Sequence, residues 1–390
     1  MVGSCQVSSE EHAMDETTNI VLVGAGHAHL HLAARVERLI ERGAHVTLIS
    51  PGDFWYSGMA SGMLGGDYRD DEDRLDPAAL IRAGGGEVID DRVVGIDRQA
   101  RQLRLAESPP LAYDLLSLNL GSRVATNAII GIGGDAHVWP AKPVGRLWRL
   151  RQLLETALAE QAPLPRLAVI GGGPTGVELT ANLLGLGERY GRELEISLVS
   201  ASERLLPEAP RSASRWVARR LYRRGARLEL AASAVAWEPG RLRLDDGSEV
   251  GADHVLLASG LVAPDLVGEL GLRSDARQGL AITPALHAPE DPRIFAVGDC
   301  AWLEHAPYPK LGVFGVRQGP VLLANLEARL TGAAPRHFQP QRRYLSILNL
   351  GDGRGLGLWG RFWWRGRSAL ALKRRLDHRF MAAYRAGTGR

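Results

Sequence analysis

Leu167-Ala168-Val169-Ile170-Gly171-Gly172-Gly173-Pro174-Thr175-Gly176-Val177-Glu178 is the stretch that decides how this chain folds. Four apolar residues read as a buried strand. Gly171 allows a tight turn, Gly173 lets the backbone approach a pyrophosphate, and Gly176 lets a helix lie close to the strand. Pro174 suits a first helical turn, where its missing N–H costs nothing. A helix over Gly176–Leu186 and a strand over Ile196–Val199 complete a βαβ unit, which implies a parallel pair. The same order occurs upstream. Ile20-Val21-Leu22-Val23 leads into Gly24-Ala25-Gly26-His27-Ala28-His29, then a helix over Ala28–Arg42 and a strand over Val46–Ile49. Each half closes on a strand followed by glycine, Tyr113–Gly121 and His254–Gly260. An internal duplication is the economical reading.

The two turns are not equivalent. In the first, His29 stands at the third glycine position, so its helix must sit differently on the strand. The acid expected roughly 20 residues on, for a ribose hydroxyl, is missing; Ser50 ends the strand and Asp53 follows it. His27, His29 and His31 alternate, but only His27 and His31 share a helical face, so no metal site is expected. His27 and His29 are expected around phosphates, where an imidazole can donate a hydrogen bond. The second turn has all three glycines, and Pro174 and Thr175 begin its helix. Glu178 follows, either facing whatever stacks at the domain junction or simply offsetting the helix dipole. Its ribose position is Ser200, with Arg204 four residues on; an absent acid and a nearby arginine lean toward a 2′-phosphate. A third element, Arg293-Ile294-Phe295-Ala296-Val297-Gly298-Asp299, offers a carboxylate for sugar-alcohol hydroxyls and a glycine for close approach. The helix after it, over Val316–Leu330, would aim its positive end at a bound ring system.

Charge divides the chain. Residues 341–390 carry 12 Lys/Arg against 2 Asp/Glu, while the first 340 carry 35 against 42. A basic tail on an acidic body calls for an anionic surface. Trp359, Phe362, Trp363 and Trp364 lie among Arg361, Arg365 and Arg367. Leu372, Leu376 and Phe380 then recur at four-residue spacing, with Lys373, Arg374, Arg375 and Arg379 mostly opposite. This pattern fits a helix lying in a membrane interface, or one covering the protein's own flank or a second copy in a homodimer. No nucleic-acid motif accompanies it. Cys5 and Cys300 have no second cysteine at redox or zinc spacing. The polar start lacks the apolar core of a signal peptide, and no 18-residue apolar run exists to span a membrane. The expected location is the cytoplasm, peripheral on the cytoplasmic face of the membrane if the tail engages lipid.

Together these residues resemble the two-dinucleotide-domain flavoproteins of the pyridine nucleotide-disulfide oxidoreductase superfamily, over nearly all of the chain after residue 18. The motifs Val169–Glu178 and Ile294–Asp299 carry the resemblance. Gly26-His27-Ala28-His29-Leu30, Tyr56-Ser57-Gly58-Met59, Lys142-Pro143, Gly315–Pro320 and Lys373–Met381 draw it toward the branch similar to type II NADH dehydrogenases. They draw it closer to a group associated with selenophosphate synthetase. The resemblance implies an α/β fold of two Rossmann-like FAD/NAD(P)-binding domains. These are an interrupted FAD domain at 19–145 and 275–334 and an NAD(P)H domain at 146–274, with a tail at 1–18 and a small segment at 335–390. It implies FAD near Gly24, Gly26, Gly121, Gly298 and Asp299, and NADH or NADPH near Gly171, Gly173, Gly176 and Gly260. Glu178 and Lys142 are the candidate catalytic groups. Phe314, Arg317 and Gln318 are candidates for the acceptor side; Val313 and Arg317 stand where related enzymes carry a glutamine pair near quinone. The missing cysteine pair argues against disulfide reduction. The implied reaction passes a hydride from nicotinamide to flavin and electrons on to a quinone-like acceptor. The alternative is a flavin-binding partner of a selenium-handling enzyme, such as a selenophosphate synthetase-related protein, without NAD(P)H turnover.

Overall fold

The computed structural model describes residues 17–126 and 128–385. Most of the expected tail at 1–18 lies outside them, and Thr18 already opens the first strand. In chain order the main elements are β1 (Thr18–Val23), α1 (His27–Ala33), β2 (Ala44–Ile49), β3 (Glu87–Ile89) and β4 (Leu115–Leu118). There follow β5 (Val138–Pro140), α2 (Gly145–Ala159), β6 (Leu167–Ile170), α3 (Pro174–Arg189), β7 (Ile196–Ser200), α4 (Arg211–Arg223), β8 (Arg227–Leu230) and β9 (His254–Leu257). The chain ends with β10 (Ile294–Ala296), α5 (Gly312–Thr331), β11 (Leu345–Asn349), β12 (Gly355–Trp359), β13 (Phe362–Gly366) and α6 (Arg367–Arg385).

Two five-stranded parallel sheets dominate, in the orders β10-β4-β1-β2-β3 and β5-β9-β6-β7-β8. Their central strands are buried on both faces, as continuous apolar runs in parallel sheets must be. The halves repeat each other in detail. In each, an antiparallel three-stranded meander (starting at Val93 or Ala234) precedes the strand that crosses to the other side of the central one. The order therefore reverses between β1 and β4, and between β6 and β9. Ligands of such sheets bind beyond the carboxyl ends of the strands at that reversal.

Three expectations shift. Val138–Pro140 pairs with the second sheet, so the chain leaves the first sheet before residue 138 rather than after 145. The helix expected over Ala28–Arg42 breaks after Ala33, where Arg35 N–H donates to Leu32 O at 2.8 Å. That turn seats the fully buried Val36 against Gly84, where even a Cβ would collide with it. The C-terminal segment is a small domain: β11, β12 and β13 form an antiparallel sheet covered by α6. It touches both larger domains. Asn182 on α3 donates to Asn349 O at 3.0 Å, Arg220 on α4 pairs with Asp352, and Lys373 on α6 donates to Gly58 O at 2.5 Å.

Candidate functional site

The first glycine turn is closed by a side chain that motif reading passed over. Gly24 has φ +81°, and a Cβ there would lie 2.8 Å from Asn119 O, just beyond β4. A Cβ on Gly26 would lie 2.6 Å from the Asn119 side chain, and one on Gly298 would lie 2.7 Å from its Nδ2. Asn119 Oδ1 accepts from Ala28 N–H (3.0 Å) and His29 N–H (3.1 Å), and its Nδ2 donates to Val297 O at 3.0 Å. The amide thus joins α1, β4 and the Gly-Asp element, and it takes two of the helix-end donors expected to face phosphate. The available signal was a polar residue ending an apolar strand.

His29 does not face phosphate. Its ring is buried, with Nδ1 2.6 Å from Gly24 O and Nε2 2.8 Å from Ser117 Oγ. Burial holds its pKa down at about 4, so the ring is neutral. A carbonyl only accepts, so Nδ1 carries the proton and Nε2 accepts from Ser117. The imidazole bonds helix to strand where a third glycine would have let them touch. His27 is likewise held neutral by burial, with a pKa of about 4. Its ring packs edge-on against Phe54 at 5.0 Å and lies near Tyr56 and Phe380. Neither histidine supplies a cation at neutral pH. Ser50 is half-buried and Asp53 exposed beyond β2. Among the described residues no group of three or more His, Cys, Asp or Glu side chains could hold a metal.

Asp299 sits at the edge of a polar cluster. Its Oδ2 accepts from Lys142 Nζ at 2.5 Å and Ser122 Oγ at 2.7 Å, and Lys310 donates to its main-chain oxygen. Burial opposes its ionisation, but the Lys142 ammonium, the Ser122 hydroxyl and Lys310 together outweigh that and hold the carboxyl below its usual range. Ser122 follows Gly121, whose φ of +69° turns the chain there. Lys142 also lines a cavity of about 110 Å³ with Ser57, Ser61, Thr175, Glu178 and Ala258. This cavity lies where the carboxyl ends of the two sheets meet. Helix α5 begins at Gly312, four residues before the expected start, without a side-chain cap. A Cβ on Gly312 would lie 3.0 Å from His27 and 3.6 Å from Ser57 Oγ, so the positive end of α5 borders the same site.

Glu178 reaches the cavity from the first turns of α3. Its Oε1 accepts from Asn349 N–H at 2.7 Å and Ser61 Oγ at 3.2 Å. Burial raises its pKa against the opposing pull of Lys373 and those two bonds. The carboxyl is therefore held by the first domain and the C-terminal domain while rooted in the second.

The second glycine turn is open. Gly173 caps α3 without a side-chain bond, a Cβ there would meet nothing, and Pro174 and Thr175 are exposed. Gly171 turns at φ +130° against Ala258 O, and a Cβ on Gly176 would strike Gly171 O. Gly260 is exposed at φ +71°. Arg204 is not a free cation here: its guanidinium donates to Ala209 O at 2.9 Å and to Pro207 O. Ser200 is buried beneath Gly172, with its hydroxyl accepting from Ser202 N–H at 3.2 Å.

The acceptor-side expectation divides by helical phase. Phe314 is buried and stacked on Tyr308 at 4.8 Å. Gln318 is fully buried, accepting from Gly298 N–H and donating to Tyr308 OH, both at 2.7 Å. Both side chains are spent on contacts inside the domain, whereas Arg317, on the other side of α5, is exposed. The tail also differs from its reading. Trp359, Phe362, Leu372 and Leu376 are exposed, whereas Lys373 and Asp377 are buried as a 3.0 Å ion pair. Phe380 turns inward and stacks on Tyr56 at 4.4 Å.

These residues fit two dinucleotides. The bare end of α3 suits a pyrophosphate, and the Asp299 cluster with the uncapped end of α5 suits a flavin. The model for the family described as pyridine nucleotide-disulphide oxidoreductase matches residues 18–319. A relative described as NADH dehydrogenase-like protein YutJ of Bacillus subtilis is 27% identical over 274 residues, covering 68% of this chain and 71% of its own. A type II NADH:quinone oxidoreductase of Haemophilus influenzae is 35% identical over 147 residues, 35% of this chain and 33% of that enzyme. The structure of NDH2 from Plasmodium falciparum in complex with NADH superposes with a TM-score of 0.78 at 14% identity, covering 95% of this chain and 97% of that one, which shows a shared fold.

Proposed function

We propose, for a chain that belongs to the pyridine nucleotide-disulphide oxidoreductase family, that it is an FAD-dependent NAD(P)H oxidoreductase delivering electrons to a quinone-like acceptor. The observation that carries this reading is the junction cavity. Thr175 and Glu178 from the open second turn meet Lys142 and Ser57 from the Asp299 side within one space. When bound, FAD supplies a two-electron acceptor for the nicotinamide hydride. The protein's part is to hold, orient and exclude water. Gly173 and the first N–H groups of α3 hold the nicotinamide dinucleotide's pyrophosphate. Asp299 takes sugar-alcohol hydroxyls, and Lys142 fixes Asp299 and presents positive charge at the cavity wall. Glu178, held by Asn349 and Ser61, would orient the nicotinamide end against the flavin.

Thiol chemistry has no support. Cys300 is buried, its thiol is pushed up to about 11, and it donates to Val297 O at 3.3 Å. A quinone acceptor draws support from the Haemophilus influenzae relative, which matches 35% of this chain, and from the C-terminal domain. Trp359 and Phe362 pair across the tip of the β12–β13 hairpin with Arg361 exposed between them. Leu372 and Leu376 lie exposed among Arg374, Arg375 and Arg379 on α6. Exposed aromatics beside arginines suit an anionic membrane interface, where a hydrophobic acceptor would reside. Among the described residues no helix is long and apolar enough to cross a membrane.

Anaerobic absorbance of the FAD-loaded protein tests the reading. Addition of NADH or NADPH should bleach the flavin's visible band, and Glu178→Gln should slow the bleaching without releasing FAD. A yellow protein that neither nucleotide reduces would refute the proposal and favour a flavin-binding partner protein.

A further inference from the structure

We infer that the second dinucleotide site accepts NADH and NADPH with nearly equal affinity, because the loop that should read the adenosine ribose spends its polar groups on itself. This rests on the oxidoreductase reading, since it concerns the same site. Sites of this fold distinguish the two nucleotides at the end of the second strand of the unit. A carboxylate there binds the 2′-hydroxyl and repels a 2′-phosphate; an arginine there pairs with the phosphate. In this chain that strand is β7, and it ends in Ser200.

The Ser200 hydroxyl is occupied and nearly inaccessible. The residue is 4% exposed, accepts from Ser202 N–H, and lies so close under the glycine turn that a Cβ on Gly172 would strike it. No carboxylate replaces it at that point. The arginine that could serve a 2′-phosphate is also engaged. Arg204 closes its own loop, with one end of the guanidinium on Ala209 O and the other on Pro207 O. That loop is itself fixed. Leu206 N–H donates to Gly172 O at 2.7 Å, Ser214 Oγ donates to Leu205 O at 2.5 Å, and Leu205 and Leu206 are buried. Freeing Arg204 would strand two carbonyls and loosen the loop that supports the turn. Glu203 is exposed three residues beyond the strand, where water screens its charge. The site is built to hold the shared pyrophosphate; among the described residues the strand end presents no carboxylate, and the Arg204 guanidinium is directed to its own loop's carbonyls.

The test is equilibrium binding of NAD⁺ and NADP⁺ to the FAD-loaded protein by titration calorimetry, which needs no turnover. The two dissociation constants should agree within about tenfold, whereas a dedicated reader of either group would separate them by on the order of a hundredfold or more. Arg204→Gln should weaken both nucleotides by the same factor, through the loop. Glu203→Gln should leave their ratio unchanged. Ser200→Glu should shift the ratio at least about tenfold toward NAD⁺. A wild-type preference beyond about tenfold would overturn the inference and leave the oxidoreductase reading standing. So would selective loss of NADP⁺ binding in Arg204→Gln, or a selective gain in Glu203→Gln. Binding of neither nucleotide would overturn both. Should Ser200→Glu fail to fold, the Arg204→Gln and Glu203→Gln variants still decide.

Discussion

Restoring a regular glycine fingerprint should damage this protein. His29→Gly supplies the third glycine that the motif calls for, yet His29 is 1% exposed and both ring nitrogens are bonded. The substitution strands Ser117 Oγ, which is fully buried, and leaves Gly24 O short of a donor. Each such group costs about 1–3 kcal/mol. The space of an imidazole and a glycine inside α1 add to this, for a loss of at least about 3 kcal/mol at neutral pH. The pH dependence sharpens the test. His29 has a folded pKa of about 4 against an ordinary 6.5. The unfolded chain therefore binds the proton more readily, and wild-type stability falls as pH drops from 6.5 toward 4. The variant lacks that liability, so its deficit should narrow by about 2 kcal/mol between pH 7.5 and pH 5. Urea denaturation followed by tryptophan fluorescence at both pH values measures this. A variant as stable as wild type at pH 7.5, or a deficit indifferent to pH, would refute the bonded, neutral histidine.

Other outcomes follow from the same geometry. Lys142→Met should lower the unfolding midpoint by the equivalent of about 2–3 kcal/mol, because burial at Asp299 is then opposed only by Ser122 and the more distant Lys310. Since the carboxyl can escape its charge by taking a proton, the deficit should shrink on acidification, which thermal scans across pH would detect. Gly351→Ala should detach the C-terminal domain from α3, since Gly351 has φ +65° and a Cβ there would strike Ala181 O. Slower flavin bleaching should accompany its lowered stability, because Glu178 loses its Asn349 N–H partner; normal bleaching would show that this bond is dispensable. Trp359→Ser with Phe362→Ser should reduce co-sedimentation with anionic vesicles at unchanged stability, and full retention would remove the hairpin from the membrane reading. These point variants are cleaner than truncation at Pro335, which would uncover α3 and α4.

What was legible in the sequence was what chain neighbours determine. The second fingerprint, its helix and both strands could be read because each glycine answers a demand made within a few residues. Duplication exposed the parallel sheets for the same reason. Asn119 was not legible as a cap, since its partners Ala28 and His29 lie some 90 residues away and nothing local marks them. Arg204 looked free because backbone carbonyls carry no sequence signature. The burial of Gln318 beside the exposed Arg317 is not legible either, because a shift of one residue turns a side chain by a large fraction of a turn. In α6 the apolar stripe was seen, but an ion pair took the inner face and left Leu372 and Leu376 outside. Residue type alone could not reveal that Tyr56 and Gly58 wait there to satisfy Lys373 and Asp377.

The placement of β10 and Asn349 fixes an order of manufacture. The first sheet receives its edge strand only after the whole second domain has been synthesised. Glu178 acquires its backbone partner only when residue 349 has emerged. A chain released before residue 294 would carry both glycine turns without the edge strand of the first sheet or the partner of Glu178. Flavin uptake should therefore wait until the Asp299 element and residue 349 have both been made.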